Sequence, residues 1–220
     1  MDSPKYPKTF HVPSSPCVAK DDKRMKDVES LLCVDVVATE KADGSNVCME
    51  HPACFARSHA SGASHESFDA FKAFHAGVRH LIPNDFQMFG EWLYAKHSIH
   101  YLALPAYFLL FGVRDLGGSA RWLAWEEVEM WAEELGVPTV PVLDRGSFNR
   151  PWKLNGLIDT HTRAPSRLGA PQKEGVVIRW ASGFSDANFS SAVGKWVRKD
   201  HVQTDKHWKN QPLVRNRLAS

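Results

Sequence analysis

Five charged residues stand in or beside stretches that otherwise read as buried strands. Lys41 follows the apolar run from Leu31 to Val37, Glu91 interrupts Phe89-Gly90-Glu91-Trp92-Leu93, and Glu174 opens Gly175-Val176-Val177-Ile178-Arg179. Lys195 and Lys199 flank Trp196-Val197-Arg198. Burying a charge is costly unless it faces a ligand or a partner. A lysine kept partly neutral by burial and neighbouring cations can attack an electrophile such as phosphorus. Two lysines, an arginine and two carboxylates converging on one groove suit a nucleoside triphosphate and its magnesium. The cations neutralise phosphate oxygens, one carboxylate holds the water shell of the metal, and another accepts from sugar hydroxyls. Gly44, in Lys41-Ala42-Asp43-Gly44, suits a tight turn or a close approach of backbone to ligand. Taken singly, Lys-x-Asp-Gly is a common strand-to-turn junction, and each charge reads equally well as an edge-strand charge or a structural ion pair.

Positioning these residues falls to short strands and two clear helices. Residues 1–26 are rich in Pro, Ser and Lys and read as a loosely packed lead-in, with a short helix around Asp21 to Leu32. Asn46 to Glu50 and Ala53 to Ser58 read as strands joined at His51-Pro52, followed by small residues from Ala60 to Ser64. Ser67 caps a helix on which Phe68, Phe71, Phe74, Val78 and Ile82 recur at helical spacing before Pro83. Strands follow over Phe86 to Leu93 and Tyr107 to Arg114. A second helix runs from Trp125 to Leu135, with Val128, Trp131, Ala132 and Leu135 on one face and Gly136 as terminator. Thr139 to Leu143 reads as a strand, Arg150 to Arg163 is ambiguous, and Glu174 to Trp180 and Ala192 to Lys199 are the last strands. Strands without regular βαβ alternation point to an α+β fold with antiparallel sheets.

The chain has 220 residues, enough for one domain with a sizeable core, and its 43% hydrophobic and 24% charged content is ordinary for a soluble globular protein. The longest apolar stretch, Tyr101 to Val113, is broken by Pro105 and is too short for a bilayer. Met1-Asp2-Ser3-Pro4-Lys5 lacks the apolar core of a signal peptide. Four cysteines (Cys17, Cys33, Cys48, Cys54) do not make a disulfide framework, so a reducing cytoplasm is expected. Cys48, His51, Cys54 and His59 invite a zinc reading, but no CxxC pair anchors it. Net charge is +2, yet from Lys195 onward seven basic residues face two acids, interleaved with Trp196, Trp208, His201 and His207. Such an end suits a phosphate backbone with bases to stack on, or is a solvated tail.

In order, Lys41-Ala42-Asp43-Gly44-Ser45-Asn46, Phe89-Gly90-Glu91, Tyr107-Phe108-Leu109-Leu110-Phe111, Glu174 to Arg179 and Lys195-Trp196-Val197-Arg198-Lys199 resemble the covalent nucleotidyltransferase superfamily of polynucleotide ligases and capping enzymes. The likeness is to ATP-dependent RNA ligases of the phage-type second RNA ligase clade. It implies a nucleotidyltransferase (ATP-grasp-like) fold with a central nucleotide-binding groove, here a single adenylyltransferase domain over residues 1–220. With only 21 residues after Lys199, no oligonucleotide-binding barrel is expected, and residues 200–220 form a basic C-terminal segment. The resemblance makes Lys41 the nucleophile that takes AMP from ATP as a lysyl-AMP phosphoramidate. It places Glu40 beside the adenine edge, Asn46 and Arg57 near ribose and phosphate, Glu91 on a ribose hydroxyl and Phe111 against the adenine. Glu174 binds Mg2+ or Mn2+ through water, Asp43 shares the metal or an ion pair, and Lys195, Arg198 and Lys199 surround the α-phosphate. Two departures stand out. Gly112 follows Phe111 where an acid is usual, and the two closing lysines are normally separated by one residue.

The implied activity joins RNA 3'-OH and 5'-phosphate ends, at a nicked duplex or elsewhere, in RNA repair. No GxxxxGK[ST] loop occurs, so end healing would fall to separate enzymes. Competing readings are a capping-type guanylyltransferase, a DNA ligase, a non-catalytic nucleic-acid end-binding module and a zinc-binding regulator.

Overall fold

The apolar runs become strands and the helically spaced stretches become helices. The computed structural model describes residues 5–16, 18, 22–57, 65–199 and 212–219. In chain order the elements are β1 (Phe10–His11), β2 (Asp35–Lys41), β3 (Ser45–Met49), β4 (Cys54–Ala56), α1 (Asp69–Val78), β5 (Phe86–Trp92), β6 (Phe108–Asp115) and β7 (Arg121–Trp122). There follow α2 (Trp125–Glu134), β8 (Val142–Ser147), α3 (Pro151–Arg163), β9 (Gly175–Trp180), β10 (Phe184–Ser185), α4 (Phe189–Ala192) and β11 (Val193–Val197). One sheet runs β1-β11-β9-β2-β8 and the other β10-β7-β6-β5-β3-β4. Every pairing is antiparallel except that of β1 with β11. This is the expected α+β architecture.

Alternation along β2 sorts its side chains between two cores. Val37 joins the larger cluster with Met88, Leu109, Leu110 and Val113, while Val36 and Ala38 join Val176, Ile178, Leu154 and Ile158 under α3. Lys41, in phase with Val37, therefore faces the side shared with the second sheet, and Glu40 faces the α3 side. α2 lays Val128 and Ala132 on the larger cluster, as its spacing predicts. The ambiguous stretch is helical, with Pro151 at the first helical position, where its missing N–H costs nothing.

Three expectations need correction, two for the lead-in and one for the strand after α2. Among the described residues no helix forms before Leu32 beyond a single 3-10 turn, Glu29–Leu31. Met25, Val28 and Leu31 are buried at a three-residue spacing that mimics a helix, but the backbone is engaged elsewhere: His11 N–H donates to Lys23 O and Met25 N–H to His11 O. The described part of the lead-in is thus a packed extension of the first sheet. The strand expected at Thr139 begins instead at Val142, because Pro141 lacks the donor that a continuous ladder needs. The zinc cluster does not assemble among the described residues, where no group of three or more His, Cys, Asp or Glu could hold a metal. His51 Nδ1 sits 3.2 Å from Ile82 O instead, and His59 lies outside the described residues.

His201 to Trp208 likewise lie outside them. Residues 212–219 pack against the segment between β5 and β6. Asn216, 1% exposed, donates from Nδ2 to Leu93 O and Ala95 O and accepts on Oδ1 from Tyr101 N–H. No helix among the described residues is long and apolar enough to cross a membrane.

Candidate active site

A cavity of about 660 Å³ opens between the two sheets, lined from β2, β3, β5, β6, β9 and β11. Lys41 stands at the end of β2 opposite Gly175, the first residue of β9. That register brings Glu174 alongside, and Lys41 Nζ donates to Glu174 Oε2 at 2.7 Å. The Glu174 side chain is 8% exposed and that of Lys41 25%. Across the cavity Glu91 pairs in register with Asn46 of β3, and its Oε1 accepts from Gly44 N–H at 3.1 Å. Gly44 is required there: a Cβ would lie 2.6 Å from Leu93 Cδ2 and 2.8 Å from Trp92 O.

These neighbours revise the expected electrostatics of the lysine. Burial disfavours the Lys41 ammonium, but Glu174, Glu91 and Asp43 outweigh it and hold the group above its ordinary value. Carboxylates rather than cations surround the amine. Burial pushes Glu91 up to about 8, Lys41 opposes the shift, and Glu174 and Asp43 add to it.

The closing cations separate. Lys195, on β11 opposite Val177, lines the cavity, and its Nζ is 2.8 Å from Asp22 Oδ2. Lys199 is exposed and does not line the cavity. Arg198 donates from Nε to Lys173 O at 3.1 Å and from its backbone N–H to Glu174 O at 3.0 Å. Position 197, which shares the face of Lys195, is a buried valine.

Asn46, Arg57 and Phe111 line the cavity. Glu40 also borders it, yet its carboxylate accepts from Ser166 Oγ–H and from Arg167 N–H on the α3 side. Asp43 is not among the residues that line the cavity. Its Oδ2 accepts from Ser98 and Ile99 N–H, both at 2.8 Å, and its own N–H donates to Tyr101 Oη. It ties the loop after Lys41 to the segment that Asn216 clamps.

Two cavity residues escaped the sequence reading. Tyr6 has its ring 5.1–5.3 Å from those of Phe89, Phe111, Trp122 and Phe189, and burial pushes its hydroxyl up to about 12. Arg179 donates to Leu123 O and Trp180 O and lies over Trp125 and Phe184. Alternation along β9 could have found Arg179, which shares a face with Val177. No local pattern marks Tyr6. For a metal, Glu91 offers a hard carboxylate in the cavity lining and Glu174 another beside it on Lys41 Nζ, rather than a closed cage, which suits a Mg2+-type ion that arrives with phosphate oxygens and keeps waters.

The family model described as RNA ligase matches residues 34–197, and the chain belongs to that family. Among solved structures it is similar to Naegleria gruberi RNA ligase in a glutamate-to-alanine mutant with ATP and Mn, at 18% identity over 80% of this chain and 53% of that one, TM-score 0.54. A lysine-to-alanine mutant of the same ligase with ATP and Mn matches at 17% identity over 89% of this chain and 60% of that one, TM-score 0.54. An archaeal ATP-dependent RNA ligase matches at 15% identity over 88% of this chain and 48% of that one, TM-score 0.54. At such identities the likeness shows the fold, which is the nucleotidyltransferase fold of these ligases. The chain spans about half the length of the first of these structures. No curated protein sequence matches it.

Proposed function

We propose that the protein is an ATP-dependent RNA ligase that joins 3'-OH and 5'-phosphate ends through lysyl-AMP and an adenylylated 5' end. The observation that carries this reading is Lys41 at the mouth of a polar cavity, facing Glu91 and Glu174 with Lys195 two strands away. Support also comes from the family and from neighbours whose structures hold ATP and Mn.

In the first step the uncharged Lys41 amine attacks the α-phosphorus of ATP. An N–P bond forms, the bond to the bridging α,β-oxygen breaks, pyrophosphate leaves with its electron pair, and the nitrogen sheds a proton. In the second, a 5'-phosphate oxygen displaces the lysine to give a 5'–5' pyrophosphate. In the third, the 3'-hydroxyl attacks the 5'-phosphorus and expels AMP. Dividing activation over two displacements lowers each barrier. Glu174 would hold a divalent ion, which would supply positive charge to neutralise phosphate oxygens, while its carboxylate keeps Lys41 Nζ in place. Phe111 offers a stacking face for the adenine, with the Glu40 main chain at its edge. Asn46, Arg57 and Glu91 ring the ribose and phosphate, and Lys195 donates to the α-phosphate oxygens as charge builds on them. Arg198 and Lys199 act from the rim. RNA repair, with end healing by other enzymes, is the role this chemistry fits.

The test is incubation with α-labelled ATP or GTP and Mg2+ or Mn2+, followed by denaturing electrophoresis. Label from ATP on the wild type and none on Lys41→Ala is expected. Label from GTP alone would make the protein a capping-type transferase. Sealing of a nicked duplex with RNA on the 3'-OH side should follow, and sealing only of all-DNA nicks would overturn the RNA assignment.

A further inference from the structure

Lys195 is gripped by a chain of side chains, two buried and one half-buried, that begins and ends on its own strand. Asp22 Oδ2 accepts from Lys195 Nζ and from His11 Nε2, both at 2.8 Å. His11, with its side chain 3% exposed, places Nδ1 2.8 Å from Ser15 Oγ. Ser15 in turn accepts from Val197 N–H at 3.1 Å. A carboxylate only accepts, so the proton of a neutral imidazole belongs on Nε2, and Nδ1 then receives the Ser15 hydroxyl proton. The circuit thus runs from the Val197 main chain through Ser15, His11 and Asp22 to the Lys195 ammonium. Burial works against the Asp22 charge, but the bonds from Lys195 and His11 outweigh it and hold the carboxyl below its ordinary range.

Joining the lead-in to the sheet does not require this circuit. Backbone pairing of Phe10 and His11 with Gly194 and Lys195, and the Val12 N–H bond to Lys195 O, already do so. Apolar side chains would fill the same space without the desolvation of a His, a Ser and a carboxylate. What the circuit adds is aim. A lysine side chain is a flexible stem whose ammonium carries three protons, so one spent on Asp22 leaves two for phosphate oxygens.

We propose that Asp22, braced by His11 and Ser15, is a positioning residue that orients the Lys195 ammonium toward the phosphates of the bound nucleotide. This rests on the ligase reading above.

The test is single-turnover formation of lysyl-AMP over a range of ATP concentrations in wild type, Asp22→Asn, Asp22→Glu, Lys195→Ala and the Asp22→Asn/Lys195→Ala double variant. Asp22→Asn is expected to lower the saturating rate constant by about ten- to a hundredfold, with a much smaller change in the ATP concentration at half-saturation. Asp22→Glu should recover part of the loss. In the Lys195→Ala background the Asp22 change should cost nothing more. A folded Asp22→Asn with the wild-type rate constant, or losses that multiply in the double variant, would overturn the proposal. If Asp22→Asn does not fold, Asp22→Glu and Ser15→Ala carry the same comparison. A wild type that takes no label from ATP refutes the ligase reading itself, and this inference with it.

Discussion

Lys41 Nζ and Glu174 Oε2 lie 2.7 Å apart, so the amine that would attack phosphorus rests as an ammonium against the carboxylate that would serve the metal. Its raised pKa means that the uncharged fraction grows about tenfold per pH unit through the neutral and mildly alkaline range. The single-turnover rate of lysyl-AMP formation should therefore climb between about pH 6 and pH 9. A profile flat over that interval would show that the proton is already lost in the resting site.

Glu91 binds its proton more tightly in the fold than in the unfolded chain, with a folded value of about 8 against an ordinary 4.5. A group raised in this way contributes its full stability below pH 4.5 and loses it as pH rises through 8. Glu91→Gln keeps an acceptor for Gly44 N–H and has no proton to lose. Its melting midpoint should match wild type near pH 5 and exceed it at pH 8.5, as read by differential scanning calorimetry without nucleotide. Equal midpoints at both values would contradict the shift.

Gly175 stands where β9 passes between β2 and β11, and a Cβ there would lie 1.9 Å from Trp196 O and 3.2 Å from Val197 Cα. Backbone cannot give way as a side-chain tip can. Gly175→Ala should cost about 3 kcal/mol or more and lower the melting midpoint by about 6–12 °C. Gly156→Ala makes the control, since that helical position has open space around it, and it should gain about 0.5–1 kcal/mol.

Asn216→Ala removes the partner of two carbonyls and one amide that are buried with it. Leaving such groups unpaired should cost about 2 kcal/mol or more, measured by urea unfolding. An unchanged midpoint would mean that residues 212–219 do not hold this seat in solution.

Local pattern made much of this site legible. Glu91 and Glu174 sit in or beside apolar runs that cannot bury a charge idly, and their strands form within a few residues of the expected limits. Periodicity fixed α2 as well, because its apolar face repeats within one segment. The fate of the other candidates depended on partners far away in the chain. Nothing near Asp43 announces that Ser98 and Ile99 will take its carboxylate, and nothing near Lys195 points to an acid 173 residues earlier. Glu40 and Lys41 are adjacent in sequence, yet strand phase sends their side chains to different partners, Ser166 for one and Glu174 for the other. The lead-in was misjudged because Pro, Ser and Lys say little about a two-residue strand whose stability comes from β11.

The parallel pairing of β1 with β11 has a practical consequence for where the working unit ends. The family match starts at residue 34, yet the strand beside Lys195, the ring against Phe111 and the acid on the ammonium all precede it. A fragment trimmed to residues 34–197 would keep Lys41, Glu91, Glu174 and Lys195 and lose Tyr6, which lines the cavity, and Asp22, which holds Lys195. The stretch that the family model matches is narrower than the piece of chain that builds the cavity.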